Sequence, residues 1–206
     1  MRKKICTIII IALILFIGNA ILTEVISDKY NVNYEVKNSI KEDMKSYIDI
    51  NHIPRALKDG VVYTEDRRFY SHGGFDLRAI ARATVANVKA KKVVQGGSTI
   101  TQQLAKNLYL TFDQTIYRKF EEVFIAQKLE KVFTKDEILE MYLNVIYYGE
   151  GAYGVQEASM KYFNKNVWEL NDGECKALVK IPQAPSVNNP IKNPQGFRDI
   201  IVYGQN

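Results

Sequence analysis

Gln102, Gln103, Lys106 and Asn107 fall within about two turns of any helix that contains them, so amide groups and an ammonium can share one side. Such a face suits a ligand that carries sugar hydroxyls and phosphate, although the same residues also make the solvated side of an ordinary capped helix. Glu65 is the second feature with chemical promise. It stands beside Asp66 and ahead of the aromatic and basic run RRFYSHGGFD, where a carboxylate can serve as a general base. The commoner fate of a Glu-Asp pair is an exposed helix end. Glu122 follows Arg118 by four residues, which places the two on adjacent turns, either as a site pair or as a surface ion pair of little worth. Spacing alone leaves each alternative open.

The elements that would carry these residues are mostly helical. Gly96 and Gly97 supply a turn, and Thr99 with Gln102 has capping-box spacing for a helix start. PRALKDGVVYTED fits a short helix leading into Glu65. Asp76 can cap a helix running to about Val94, with Leu77, Ile80, Ala83 or Thr84, and Val88 along one side and Arg78, Arg82 and Lys89 elsewhere. From about Thr115 to Phe133, Ile116, Phe120, Val123, Phe124 and Gln127, with Leu129, Val132 and Phe133 behind them, repeat at helical spacing. Thr134 and Glu137 make a second capping box that opens DEILEMYLNVIYYG, and these two consecutive helices are expected at the centre of the core. Further helices are expected near 152 to 163 and from the Asn171 and Glu174 cap to Pro182. LYLTFDQTIY, an aromatic and aliphatic patch, reads as core or as contact with a membrane surface. No alternating run bounded by turns predicts a sheet, so the class is mainly α.

A chain of 206 residues holds one domain with a hydrophobic core and an appendage. Three of its five net positive charges belong to Arg2, Lys3 and Lys4, so charge gives no sign of a nucleic-acid partner. Residues 5 to 22, ICTIIIIALILFIGNAIL, are almost wholly apolar behind that basic start. They predict a transmembrane anchor with its positive end in the cytoplasm, in preference to a cleaved signal peptide ending near Gly18 and Ala20. Cys6 lies in that run and leaves Cys175 unpartnered, so no disulfide is expected. With only His52 and His72, neither a zinc site nor a Cys and His cluster is expected. The expected organisation is a basic start and anchor over 1–23, a partly helical connector over 24–50 and a domain over 51–206.

EDRRFYSHGGFD, GGSTITQQLAKN, RKFEE and KDEILEMYLN, taken together and in that order, resemble the motifs of the peptidoglycan glycosyltransferases, the enzymes that polymerise lipid II. The resemblance covers roughly residues 45 to 190. It implies a lysozyme-like, two-lobed glycosyltransferase domain tethered by an N-terminal transmembrane helix to the cytoplasmic membrane of a bacterium, with the catalytic domain outside. Joining two sugars with loss of a lipid pyrophosphate needs a base for the attacking hydroxyl and cations or donors for the leaving group. The resemblance implies Glu65 as that base and Glu122 as a second catalytic carboxylate. It implies Ser98, Gln102, Gln103, Lys106, Asn107, Arg118, Lys119, Asp66 and Arg82 as substrate-binding residues, with a divalent cation, magnesium or manganese, as a candidate near Glu122. His72 matches the histidine of the first motif and reads equally as a packed turn residue, with no catalytic role. The implied partners are lipid II, the growing strand, the membrane and a separate transpeptidase, since the length leaves no room for one.

Two departures stand against the family pattern. Gln114 occupies what looks like the place of an arginine, and GFRDIIVYGQN is a poor match to the usual closing basic helix, so the large lobe is expected to lack its last packing element. They keep open an inactive membrane-tethered scaffold, and the related mainly α fold, which also works with an acidic residue, keeps open a glycan-cleaving enzyme of lysozyme type.

Overall fold

The computed structural model describes residues 29–111 and 115–203. The expected anchor at 5–22 and the departure at Gln114 both lie outside the described residues. Among the described residues the architecture is nine α-helices with short 3-10 turns and no strand, in agreement with the mainly α expectation. The helices are α1 Glu35–Asp43, α2 Arg55–Glu65, α3 Leu77–Ala90, α4 Ile100–Tyr109, α5 Ile116–Val132, α6 Lys135–Val145, α7 Val155–Phe163, α8 Asp172–Lys180 and α9 Pro194–Tyr203. No helix among them is long and apolar enough to cross a membrane.

α6 is the central rod. Every residue from Ile138 to Asn144 is buried, because neighbours cover it on all sides. α4 packs against both α5 and α6, α2 lies against α8, and α9 closes over α8. The capping boxes at Thr99, Thr134 and Asn171 all form, each with its reciprocal pair of hydrogen bonds, so three helix starts follow directly from local sequence.

The described part of the expected connector, 29–50, belongs to this same core. Tyr30 and Ile40 are buried, and the 47–50 segment is clasped to α6. The Tyr47 hydroxyl donates to Glu140 Oε1 at 2.6 Å and the Ile50 N–H to Oε2 at 3.2 Å, with Lys37 Nζ 3.1 Å from Oε1. Asn144 completes the clasp by accepting from the Ile48 N–H at 2.8 Å and donating to the Ile48 carbonyl at 2.9 Å. Burial beside Glu140 pushes the Tyr47 hydroxyl well above its ordinary range, so it stays a donor.

Three expectations are corrected. α5 buries its Phe120, Val123, Phe124 face only in part, with Phe124 packed partly buried against the core. Its inward side carries Glu121, Glu122, Ile125, Ala126, Leu129 and, just past the helix, Phe133, while Phe120 is 59% exposed. The stripe is rotated because two carboxylates lie in the buried face, each paired with a lysine, Glu121 with Lys29 and Glu122 with Lys119, and apolar periodicity cannot register them. α3 ends at Ala90 rather than Val94, with Lys91 left-handed at φ 51°. There Asn87 Oδ1 accepts from the N–H groups of Val94 and Gln95, at 2.8 and 3.0 Å, and folds the chain back. Finally, the closing segment does form a packing helix: Pro194 starts it in the first turn, Asn193 Oδ1 accepts from the Gly196 N–H at 3.0 Å, and the buried Phe197 stacks on Phe163.

The patch expected to be core or membrane contact divides. Leu108, Tyr109 and Leu110 pack partly buried against the core, and Tyr117 is exposed. The free Cys175 is buried, and burial pushes its thiol up to about 11, with Asp172 and Glu174 adding to the effect.

Glu140→Ala leaves the Tyr47 hydroxyl and the Ile50 N–H without their acceptor and Lys37 with only the longer contact to Glu137, at 3.6 Å. The expected loss is about 3 kcal/mol of unfolding free energy in denaturant titrations. A loss within the roughly 0.5 kcal/mol typical of surface substitutions would contradict the clasp.

Candidate active site

α2 stops at Glu65 because Asp66 leaves the helical region, at φ −155° and ψ 78°, while its N–H still bonds the Val62 carbonyl. That change of direction leaves Glu65 as the last helical side chain and turns Asp66 inward. The Asp66 Oδ2 atom accepts from the Ile100 N–H at 3.1 Å, in the first turn of α4, and from His72 Nε2 at 2.8 Å. Thr99 adds a second tie, its hydroxyl donating to the Gly74 carbonyl at 2.6 Å. Gly74 sits at φ 91°, and a Cβ there would lie 3.0 Å from the Ala126 backbone of α5, so the loop can make this close approach only with glycine. The start of α4 is thereby held against the end of α2.

The consequence is a cleft of about 800 Å³ whose walls include Glu65, Arg68, Arg82, Ser98, Gln103 and Lys106. Gln103 faces Glu65 directly, its Nε2 donating to Glu65 Oε2 at 2.9 Å. Glu65 Oε1 is buried with no partner in the protein, so its lone pairs are uncommitted. Asn87 shapes the opposite rim, because the turn that it folds carries Gly96, Gly97 and Ser98 into the cleft wall. A second, more open hollow of about 660 Å³, between Lys45–Ile48 and α7, holds none of the expected site residues.

The expected residues divide by position. Glu65, Ser98, Gln103, Lys106 and Arg82 meet in the cleft. Asp66 also borders it, but its Oδ2 is engaged as the joint between α2 and α4. Gln102 is buried at 1% exposure and completes the capping box by accepting from the Thr99 N–H at 3.0 Å, which turns it away from the cleft. Asn107 donates to the Gln103 carbonyl at 2.8 Å and does not line the cleft. His72 is packed in its turn, beside the Phe69 ring, as the alternative reading had it.

Glu122 is a correction in partner and in place. Its carboxylate is buried behind the cleft wall and bonds Lys119, three residues earlier, rather than Arg118. The Lys119 ammonium also donates to Ser98 Oγ at 2.8 Å, so Glu122 acts through Lys119 at the cleft rim. Because that ammonium occupies Glu122 Oε1, the surroundings do not fit a divalent cation. Among the described residues no group of three His, Cys, Asp or Glu side chains could hold one. The adjacent Glu121 is buried too, and accepts from Lys29 Nζ and the Tyr30 hydroxyl, both at 2.8 Å.

Residues that sequence reasoning passed over complete the walls: Arg67, Arg68, Pro182 and Gln183. Arg68 was visible in the first motif, but its partner was not. Its guanidinium grips Asp76 through Nε at 2.8 Å and Nη2 at 2.5 Å. Asp76 meanwhile caps α3, accepting from the N–H groups of Arg78 and Ala79 at 2.8 and 3.1 Å. Tyr142 and Tyr148 lie fully buried behind Glu65, and burial, with the nearby Glu65 charge, pushes both hydroxyls well up.

The Arg68 guanidinium holds the Asp76 carboxyl well below the usual carboxylate range, with the two backbone N–H groups assisting against the opposing effect of burial. A carboxyl depressed in the folded state stabilises fully above its unfolded value of about 3.9, and the contribution fades as pH falls below that value. Asp76→Asn keeps a capping side chain and loses the ion pair. The variant is expected to be roughly 1–3 kcal/mol less stable at pH 7. Thermal unfolding across pH should show the gap between variant and wild type closing below about pH 4. A gap that stays constant down to pH 2.5 would contradict the pairing.

Residues 33–203 match the family described as transglycosylase. The chain is 46% identical over 169 residues to penicillin-binding protein 1A of Aquifex aeolicus, covering 82% of this chain and 23% of that protein. It is 47% identical over 156 residues to penicillin-binding protein 1F of Bacillus subtilis, covering 76% and 22% respectively. A Cupriavidus necator protein that carries the transglycosylase name is 48% identical over 157 residues, which cover 76% of this chain and 68% of that one. The chain thus spans less than a quarter of the length of the two penicillin-binding relatives. With the cleft, its motif residues and this match over most of the sequence in agreement, the chain belongs to the transglycosylase family.

Proposed function

We propose that the protein is a peptidoglycan glycosyltransferase of bacterial cell wall synthesis, extending glycan strands from lipid II at the outer face of the cytoplasmic membrane. The observation that carries this reading is the pairing, in one cleft, of a carboxylate at Glu65 with one uncommitted oxygen, the cations Lys106 and Arg82 and the donors Gln103 and Ser98. The helical architecture agrees with a lysozyme-like domain.

In this reading Glu65 takes the proton from the acceptor sugar's 4-hydroxyl as its oxygen attacks the anomeric carbon of the lipid-linked donor. The bond from that carbon to the pyrophosphate breaks with inversion, and undecaprenyl pyrophosphate leaves with the electron pair. Lys106 and Arg82 lie where they can neutralise the departing charge, and Lys119, held by Glu122 against Ser98, adds a cation at the rim. Arg118 does not line the cleft, so the role first expected of it falls to these residues. No step is assigned to a metal ion.

The membrane setting draws support from α3 and the turn after it. Leu77, Val85, Val88, Val93 and Val94 are all more than half exposed, with Lys89, Lys91 and Lys92 among them, a mixture suited to a headgroup layer. With residues 5–22 as the tether, the cleft would face its lipid-linked substrate, and a transpeptidase acting on the strand is the implied partner.

Glu65→Gln keeps the size of the side chain and the contact with Gln103 while removing the proton acceptor. Polymerisation of lipid II is expected to fall by at least about 10², with the thermal unfolding midpoint retained. Turnover within a few-fold of wild type would remove Glu65 as the base.

A further inference from the structure

We propose that Tyr142 is a positioning residue for Glu65, acting through the side-chain amide of Gln103. The Tyr142 hydroxyl donates to Gln103 Oε1 at 3.2 Å, and Gln103 Nε2 donates to Glu65 Oε2 at 2.9 Å. The three side chains come from different helices, α6, α4 and α2, and the first of them is fully buried in the central rod. An ionised carboxylate only accepts, so it requires the NH₂ end of the amide, and the carbonyl end must then find a donor on the far side. Tyr142 supplies it. Turned the other way, the amide would set its own oxygen against the carboxylate. Burial keeps the Tyr142 hydroxyl protonated, so the donor is permanent.

The arrangement fixes which oxygen of Glu65 is tied down. Oε2 is held by Gln103 and Oε1 is left without a protein partner, so the carboxylate plane is set before any ligand arrives. Removing the hydroxyl leaves Gln103 Oε1 with no donor and frees the amide to rotate, which unfixes Glu65 without substituting any residue that lines the cleft. The inference rests on Glu65 as the base.

The test uses the full-length chain with lipid II, comparing kcat and KM for wild type, Tyr142→Phe, Gln103→Met and the double variant. Tyr142→Phe is expected to lower kcat roughly ten-fold at unchanged KM. In the Gln103→Met background the same substitution should cost less than about two-fold more, because the route to Glu65 is already cut. Losses that multiply in the double variant, or a Tyr142→Phe enzyme at wild-type kcat, would overturn the proposal. Should Tyr142→Phe not fold, Gln103→Met still tests the route: full kcat in that variant overturns the positioning role. A Glu65→Gln variant run alongside separates the two readings. If it is inactive while Tyr142→Phe is unchanged, the positioning role alone fails, whereas an active Glu65→Gln removes the base itself.

Discussion

The Asp66 carboxylate, buried between the end of one helix and the start of another, is the joint on which the site depends. One oxygen accepts from both the Ile100 N–H and His72, so it satisfies an orphan donor at a helix start while fixing the loop of the first motif. A buried carboxylate with these two partners admits little freedom, because any displacement strands a charge away from water. Its neighbour in sequence is Glu65. The residue that binds the two helices and the residue that faces the cleft are therefore adjacent, and the direction of one determines the direction of the other.

The same economy recurs on α5, where two consecutive glutamates are buried for different ends. Glu122 holds Lys119 against Ser98 at the cleft rim, and Glu121 receives Lys29 and Tyr30 from the segment that precedes the domain. A single helix thus connects the N-terminal arm to the wall of the cleft. In both pairs the carboxylate is buried and the lysine half exposed, so the buried charge keeps its cation close, which suits a wall that must present a cation at a defined place.

How much of this could be read from sequence depends on the range of the interaction. The capping boxes at Thr99, Thr134 and Asn171 and the Asp76 cap involve residues within three positions of each other, and all are realised. The phase of α5 was not legible, since its buried face carries Glu121 and Glu122, and partners such as Lys29 lie 92 residues away. The early end of α3 turns on Asn87 reaching seven and eight residues ahead, a distance that no helical pattern encodes. In the site, motif order grouped Glu65, Gln103 and Lys106, which line one cleft. It could not separate Gln103, which faces the cleft, from the adjacent Gln102, which caps the helix, because they are consecutive residues of the same type.

The proposed reaction joins sugars in this cleft rather than cleaving them. Purified full-length protein incubated with radiolabelled lipid II, with products resolved by size, tests it most directly. The expected products are glycan strands that lengthen with time, together with released undecaprenyl pyrophosphate. Unchanged lipid II, or the shortening of preformed strands by the same preparation, would contradict it.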